Sequence, residues 1–132
     1  MGSSSARRWI GVCIDCIDAD ELARFYGLLL GWDVSARDGH DWVQLRDPGG
    51  GVGINIQSEK GYEPPIWPET PGRQQKMLHL EVEVDDLDAS VQQVVKAGGA
   101  VAAHQPQDRD PSRIRIMLDP AGHPFCIFLA GE

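Results

Sequence analysis

The segments GVCIDCIDAD, residues 11–20, and HLEVEVDDLD, residues 79–88, are two copies of one pattern. Each copy alternates apolar residues with other residues, which is typical of a β-strand, and each ends in an Asp-x-Asp triplet. An Asp side chain at that place caps the free N–H groups of a first helical turn. Asp18 and Asp86 are 68 residues apart, so the sequence predicts the same strand–helix unit twice.

Apolar residues with helical spacing follow both triplets. They are Leu22, Phe25, Tyr26, Leu29 and Leu30 in the first unit, and Val91, Val94, Val95 and Gly98 in the second. Both stripes end at glycine, Gly31 in one and Gly98 in the other, as expected at a helix C-terminus. Each unit therefore contains one amphipathic helix directly after its first strand.

Three more strands are predicted after each helix. They cover residues 33–36, 41–46 and 51–58 in the first unit, and residues 101–105, 113–118 and 124–130 in the second. A turn sequence, DPGG at residues 47–50 and DPAG at residues 119–122, precedes each last strand. Each half thus reads β-α-β-β-β, which predicts an α+β fold of eight strands and two main helices.

The domain organisation follows from these boundaries. We expect a disordered tail at residues 1–8, a first module at 9–58, a linker at 59–76 and a second module at 77–132, all within one integrated domain. The linker contains Pro64, Pro65, Pro68 and Pro71, which are too many prolines for a helix or a central strand.

Composition excludes several classes of protein. The 132-residue chain has a formal net charge of −8, which argues against nucleic-acid binding; this charge either attracts a cationic ligand or simply maintains solubility. No apolar run is long enough to span a membrane. The N-terminus lacks the apolar segment of a secretory signal, and three cysteines are an odd number, so we expect a cytoplasmic protein with reduced thiols.

The duplicated β-α-β-β-β unit resembles the vicinal-oxygen-chelate superfamily, which includes glyoxalases, bleomycin-resistance proteins and extradiol dioxygenases, and most closely its glyoxalase-like branch. The resemblance covers residues 9–130 and rests on the order of its motifs, including Phe25-Tyr26, Leu30-Gly31-Trp32 and the D-P-x-G turns. It implies that each module curls its sheet into half of a cleft, which two modules, often from two chains, close. A homodimer is expected on this basis.

Strand alternation assigns one face of each sheet to the core and the other face to this cleft. The expected ligand-binding residues are the polar, sulfur-containing and aromatic groups on the cleft face, with nearby aromatic residues as walls. They are His79, Glu81, Arg115, Met117, Cys126, Phe128, Trp42, Trp67 and Tyr62. A plain exposed sheet face is the alternative, and Trp67 and Tyr62 serve either as walls or only to pack the linker across the sheet or against a second subunit.

The resemblance also implies four metal-ligand positions, a His or Gln in each first strand and a Glu in each last strand. Carried over by position, these are Gly11, Ile54, His79 and Cys126, of which only His79 fits and Cys126 is an unusual replacement. Two ligands are fewer than a catalytic metal site needs. His79 and Glu83 are about 13 Å apart on an extended strand, too far to hold one ion. We therefore expect no metal and no other cofactor.

Two functions compete on these grounds. A protein that binds an aromatic natural product or antibiotic, and so confers drug resistance by sequestration, is favoured by the lost metal ligands and the mixed cleft face. A lyase, isomerase or dioxygenase with an atypical site, for example a Cys126–His79 pair acting as nucleophile and base, is the alternative.

Overall fold

The computed structural model describes residues 8–131. The predicted disordered tail falls almost entirely outside this range. Eight strands and two helices follow one another in the predicted order. They are β1 (Gly11–Cys16), α1 (Ala19–Leu30), β2 (Asp33–Asp38), β3 (Trp42–Arg46), β4 (Gly53–Ser58), β5 (Glu81–Val84), α2 (Leu87–Lys96), β6 (Ala100–Val101), β7 (Ile114–Leu118) and β8 (Pro124–Leu129).

The helix boundaries have the capping residues that the sequence predicts. The Asp18 carboxylate accepts the backbone N–H of Glu21 at 3.1 Å, and the Asp86 carboxylate accepts that of Ala89 at 3.0 Å. Helix α1 ends at Gly31, whose φ of 70° is readily adopted only without a Cβ. Neither helix in the described range is long and apolar enough to cross a bilayer.

The strands form two four-stranded mixed sheets with equivalent topology. The first sheet has the order β1-β4-β3-β2 and the second has the order β5-β8-β7-β6. In each sheet the first and last strands of the module pair in parallel, and the remaining pairs are antiparallel. The prediction of an α+β fold built from tandem modules is confirmed.

One hydrophobic core joins the two modules. It collects the helix-side residues of both sheets with the inner faces of α1 and α2. Phe25 and Tyr26 of α1 make edge-to-face contacts with Phe125 of β8, at ring-centroid distances of 6.0 and 5.9 Å. The faces of the sheets that do not contact the helices therefore lie outside this core; we call them the first and second open faces.

The sixth strand is much shorter than the predicted residues 101–105. Ala100 and Val101 pair with β7, Ala102 donates one further backbone hydrogen bond to Ile116 at 3.1 Å, and the chain then leaves the sheet. The Gln105 side chain replaces the missing ladder, because its amide donates to the carbonyl of Ile116 at 2.8 Å and accepts the N–H of Ile116 at 2.8 Å. This side chain anchors the loop that borders the second open face.

Candidate functional site

Three of the predicted residues come together on the second open face. Glu81 of β5 lies directly opposite Cys126 of β8, and His79 precedes Glu81 by two residues on the same side. The potential ligand atoms of these three side chains all lie within 4.8 Å of one another. His79 and Glu81 are exposed whereas Cys126 is only 5% exposed, so the thiol forms the floor of the cluster.

Trp67 of the linker packs over this floor. It lies against the small buried cluster of Ala102, Ile116 and Cys126. Its indole N–H donates to the carbonyl of His104 at 2.9 Å, and the ammonium of Lys76 lies 4.8 Å from its ring centroid. The hydrogen bond and the cation–π contact fix the ring in place. The linker thus crosses the second sheet and holds the Trp67 ring against its open face.

Some charged groups around the cluster raise the pKa of the Cys126 thiol and others lower it. Burial, followed by the Glu81 carboxylate, raises the pKa of Cys126, against the lowering effect of Arg109 and Lys76. The thiol is consequently protonated at neutral pH and is a weak nucleophile. Arg109 and Lys76 were missed by the sequence analysis, because both stand in irregular segments where alternation gives no side-chain direction.

The faces predicted for Arg115 and Met117 were wrong. Met117 lies opposite Phe125 and is fully buried in the shared core. Arg115 is on the same side of β7, where its guanidinium donates to the carbonyl of Pro111 at 2.7 Å. The open face carries Ile114 and Ile116 instead. Strand β7 is apolar on both sides, so alternation alone gave no reliable choice.

The remaining predicted residues lie at different places. Phe128 shares the second open face with Cys126 and lies opposite Glu83. Trp42 belongs to β3 and lies opposite Gln57 in the first sheet. Tyr62 is at the start of the linker, where its hydroxyl donates to the carbonyl of Ala121 at 2.6 Å. The second open face therefore gathers His79, Glu81, Cys126, Phe128 and Trp67.

An indole fills the corresponding corner of the first open face. The ring of Trp9 covers Gly11 and Gly53, such that a Cβ atom at these positions would lie 2.4 and 2.2 Å from ring atoms. The guanidinium of Arg46 lies 5.5 Å from the ring centroid. Next to this corner, the Gln44 amide donates to Asn55 at 3.2 Å. The corner is therefore occupied by aromatic and amide groups.

The metal-ligand position that the sequence analysis found in β4, by counting seven residues from Asp47, does not lie on the first open face. Ile54, chosen seven residues after Asp47, is 5% exposed and belongs to the shared core. Its neighbour Asn55 pairs with Cys13, just as Cys126 pairs with Glu81 in the second sheet. The first turn is one residue longer than the second, since β4 begins six residues after Asp47 and β8 begins five residues after Asp119.

The residues present do not fit a metal held between two modules. Gly11 and Ile54 offer no donor atom, and the Asn55 side chain is engaged by Gln44. The second open face offers His79, Glu81 and Cys126, one group more than the sequence analysis counted. Two of the three are exposed and the thiol is protonated, so metal binding there would have to displace a proton and order both exposed side chains.

Comparison with known proteins agrees with this architecture. The family model described as a glyoxalase-like domain matches residues 11–128. No curated protein has a significant sequence match to the chain.

Several solved structures share the fold at low sequence identity. A protein described as a possible glyoxalase from Bacillus cereus is 16% identical, with a TM-score of 0.65, over 93% of this chain and 99% of that one. A glyoxalase/bleomycin resistance protein/dioxygenase family enzyme from Burkholderia phytofirmans PsJN is 23% identical, with a TM-score of 0.64, over 89% and 94%. TnmS3, an antibiotic binding protein from Streptomyces sp. CB03234, is 17% identical, with a TM-score of 0.62, over 98% and 100%.

Proposed function

The chain belongs to the glyoxalase-like domain family of the vicinal-oxygen-chelate superfamily, and from this premise we propose that it binds a rigid, largely aromatic small molecule without converting it. The proposed ligand is an antibiotic or aromatic natural product, and sequestration protects the cell. The observation that carries this proposal is the Trp67 ring, held over a floor that contains Cys126 and lies beside His79 and Glu81.

The chemistry of the second open face suits such a ligand. A ring system gains contact area against an indole that is already fixed, and an offset aromatic pair adds about 0.5–1.5 kcal/mol beyond burial. His79, Glu81 and Lys76 orient the ligand through polar contacts, which determine specificity more than affinity. Together with Phe128, these contacts are consistent with a sub-micromolar Kd, which corresponds to about −8 kcal/mol.

The fold of TnmS3 supports the proposal by analogy only, because 17% identity shows a shared fold and not a shared ligand. Trp42 lies on the first open face, so its predicted role as a second wall requires the first open face of another copy. We propose this arrangement within a homodimer, where one copy supplies Trp67 and the other supplies Trp42.

The test is a fluorescence titration with polycyclic and glycopeptide antibiotics, with mass spectrometry of the recovered ligand. Trp67→Ala should weaken binding at least tenfold, and Trp67→Phe should restore part of the affinity because it keeps a ring. Tyr62→Phe is the matched control, since it alters the same linker outside the second open face, and it should bind normally. Unaltered affinity in Trp67→Ala would contradict the proposal.

An enzymatic role is the second candidate, favoured by the close approach of His79, Glu81 and Cys126. In that case a ligand would be recovered as a modified product, and Cys126→Ser would abolish the modification. Recovery of unchanged ligand from both the wild type and Cys126→Ser supports sequestration.

We predict that the purified protein contains no stoichiometric divalent metal. The physical reason is that Gly11 and Ile54, the two metal-ligand positions of the first module, carry no side-chain donor and that the Cys126 thiol is protonated at neutral pH. Elemental analysis is the measurement, with His79→Ala as the control for adventitious ions. One tightly held metal per chain that His79→Ala loses would favour the enzymatic reading.

A further inference from the structure

A second concave region lies between β1 and the two ends of the linker; we call it the linker groove. Its volume is about 620 Å³, and its walls include Cys13, Asp15, Glu59, Tyr62 and His123. The residues of the second open face, including Trp67 and Cys126, are not among those that line it. Lys76, whose ammonium lies 4.8 Å from the Trp67 ring centroid, also lines the groove, so the linker groove adjoins the site proposed above but does not include its floor.

A buried carboxylate orients the histidine of this groove. Asp119 is fully buried at its side chain and accepts His123 Nδ1 at 2.8 Å, the Tyr26 hydroxyl at 2.6 Å and the backbone N–H groups of Ala121 and His123. A carboxylate with these donors is an acceptor, so Nδ1 carries a proton; when the ring is neutral, its Nε2 is therefore an acceptor.

In the neutral ring, no group in the described part of the chain has a proton to spare for Nε2. Its neighbour is the Tyr62 hydroxyl at 3.3 Å, but that hydroxyl donates to the carbonyl of Ala121 at the shorter distance of 2.6 Å. The imidazole and the phenol ring lie 5.6 Å apart and tilted at 50°. His123 thus offers a positioned lone pair on the wall of the linker groove.

The electrostatic field in the groove is negative. Asp15, Glu59 and Glu63 line it, against the single ammonium of Lys76, which is paired with Glu69 at 2.5 Å. After burial, Asp15 and Glu59 raise the pKa of the Cys13 thiol. Burial and then Asp119 raise the pKa of the Tyr62 phenol. Burial disfavours a charge of either sign, but the contribution of the carboxylates to these shifts opposes a further negative charge and attracts a positive one.

Apolar groups complete the walls. Met77 is 86% exposed and lines the same groove, beside Pro65 and the Tyr62 ring. An exposed apolar side chain next to carboxylates suits a ligand with an apolar body and a charged end.

We propose that the linker groove binds an organic ammonium ion with an aromatic or apolar body. Its N–H group donates to His123 Nε2, its charge lies near Asp15 and Glu59, and its body packs on Tyr62 and Met77. The chemistry is independent of the ligand proposed for the second open face. The groove gives a direct role to the acidic balance of the chain, which the sequence alone attributes more readily to solubility.

Tyramine is the probe, compared with 4-ethylphenol, which lacks the charge, and 4-hydroxyphenylacetate, which carries the opposite charge. Cys13 is the exposed member of the three cysteines and provides the readout, because a ligand in the groove shields it from a thiol reagent. Millimolar tyramine should slow modification of Cys13 severalfold, and the other two compounds should not. A cationic methanethiosulfonate should also react faster than an anionic one.

Variants separate the groove from general electrostatics. Asp15→Asn with Glu59→Gln should weaken tyramine protection about tenfold, as should His123→Gln. The control double variant, Asp33→Asn with Asp108→Asn, removes the same charge outside the groove. Tyramine should protect Cys13 in this variant as well as it does in the wild type. Equal protection by 4-ethylphenol, or an equal loss in the control variant, would overturn the proposal. Trp67→Ala should leave tyramine binding unchanged, which distinguishes failure here from failure of the function proposed above.

Discussion

Tyr26 connects the two modules through one buried hydrogen bond. Its hydroxyl, on α1, donates to Asp119 in the turn before β8, and the two residues are 1% and 4% exposed. Asp119 also accepts His123 and two backbone N–H groups, so the turn, the helix and the linker groove depend on one carboxylate. A buried acceptor with this many donors is costly to disturb.

Tyr26→Phe should therefore lower the free energy of unfolding by about 1.5–3 kcal/mol, the range for hydrogen bonds to charged groups. Urea denaturation measures the change. Tyr62→Phe is the matched control, since its hydroxyl donates to a neutral carbonyl, and we expect it to cost about 0.5–1.5 kcal/mol. An equal loss of unfolding free energy in the two variants would contradict this prediction, because it would show that the charge of Asp119 does not strengthen its hydrogen bond with Tyr26.

Cys16 should make the protein less stable in alkaline solution. Burial, and then Asp119, raises the pKa of its thiol from 9.0 to about 12. Between these values the unfolded chain releases a proton that the native chain retains. Stability contributed by the protonated thiol is thus complete below pH 9 and is lost as the pH rises towards 12, by at most about 1.4 kcal/mol per pH unit.

The measurement is the free energy of unfolding as a function of pH above neutrality. Cys16→Ala should be less stable at neutral pH but should show a shallower alkaline decline than the wild type. Cys13→Ala, which removes an exposed thiol, should change the slope less. Parallel pH profiles for the wild type and Cys16→Ala would refute this assignment.

At the scale of elements, strand β4 tests the register that the sequence analysis misassigned. Ile54 contacts the shared core whereas Asn55 lies on the first open face. Ile54→Ala should cost about 2–5 kcal/mol because it leaves a cavity. Asn55→Ala should cost less, since it removes one partly buried hydrogen bond to Gln44. Chemical denaturation of both variants is the measurement. A larger loss of stability in Asn55→Ala than in Ile54→Ala would contradict this register and would favour the one counted from Asp47, with Ile54 on the open face.

Strong local signals explain which elements the sequence predicts correctly. The Asp caps, the Gly31 terminus and the strict alternation around Glu81 and Glu83 each admit one structure. Strand β7 carries apolar residues on both faces, so hydrophobicity located this strand but did not determine its orientation. Strand β4 alternates clearly, with Ile54 and Ile56 on one side, but the glycines of the preceding turn hide its extra residue and so shifted the count from Asp47.

Parts of the candidate site depend on contacts far apart in sequence. His79, Glu81 and Cys126 could be placed on one face, because strand alternation puts all three on the side of their strands that points away from the core, and the pairing of Glu81 with Cys126 agrees with this. The Trp9 ring over Gly53 and the position of Trp67 beside Lys76 could not be derived. Both arise from packing of irregular segments, where neither propensity nor periodicity specifies direction.

At the scale of the whole molecule, one exposed apolar surface lies along two sheet edges. Strands β1 and β5 are each paired on one side only. Ile10 and Leu78, equivalent residues at the start of these strands, are 70% and 65% exposed. A groove of about 320 Å³ lies between the modules and includes Val12, Ile54, Leu80 and Val82 in its walls. Contiguous apolar surface of this kind is typical of an interface.

We therefore expect a homodimer with twofold symmetry, in which this surface is buried and each site is completed by the partner. Sedimentation at micromolar concentration should give twice the chain mass of 14.5 kDa. Ile10→Lys combined with Leu78→Lys should shift the protein to monomer, because two charges per chain would have to be desolvated at the interface. Ile17→Lys is the control, since Ile17 is 72% exposed but lies beyond the opposite end of β1, and it should remain dimeric. If the wild type sediments as a monomer, the second open face would have to bind its ligand without Trp42, and Trp42→Ala would then leave antibiotic affinity unchanged.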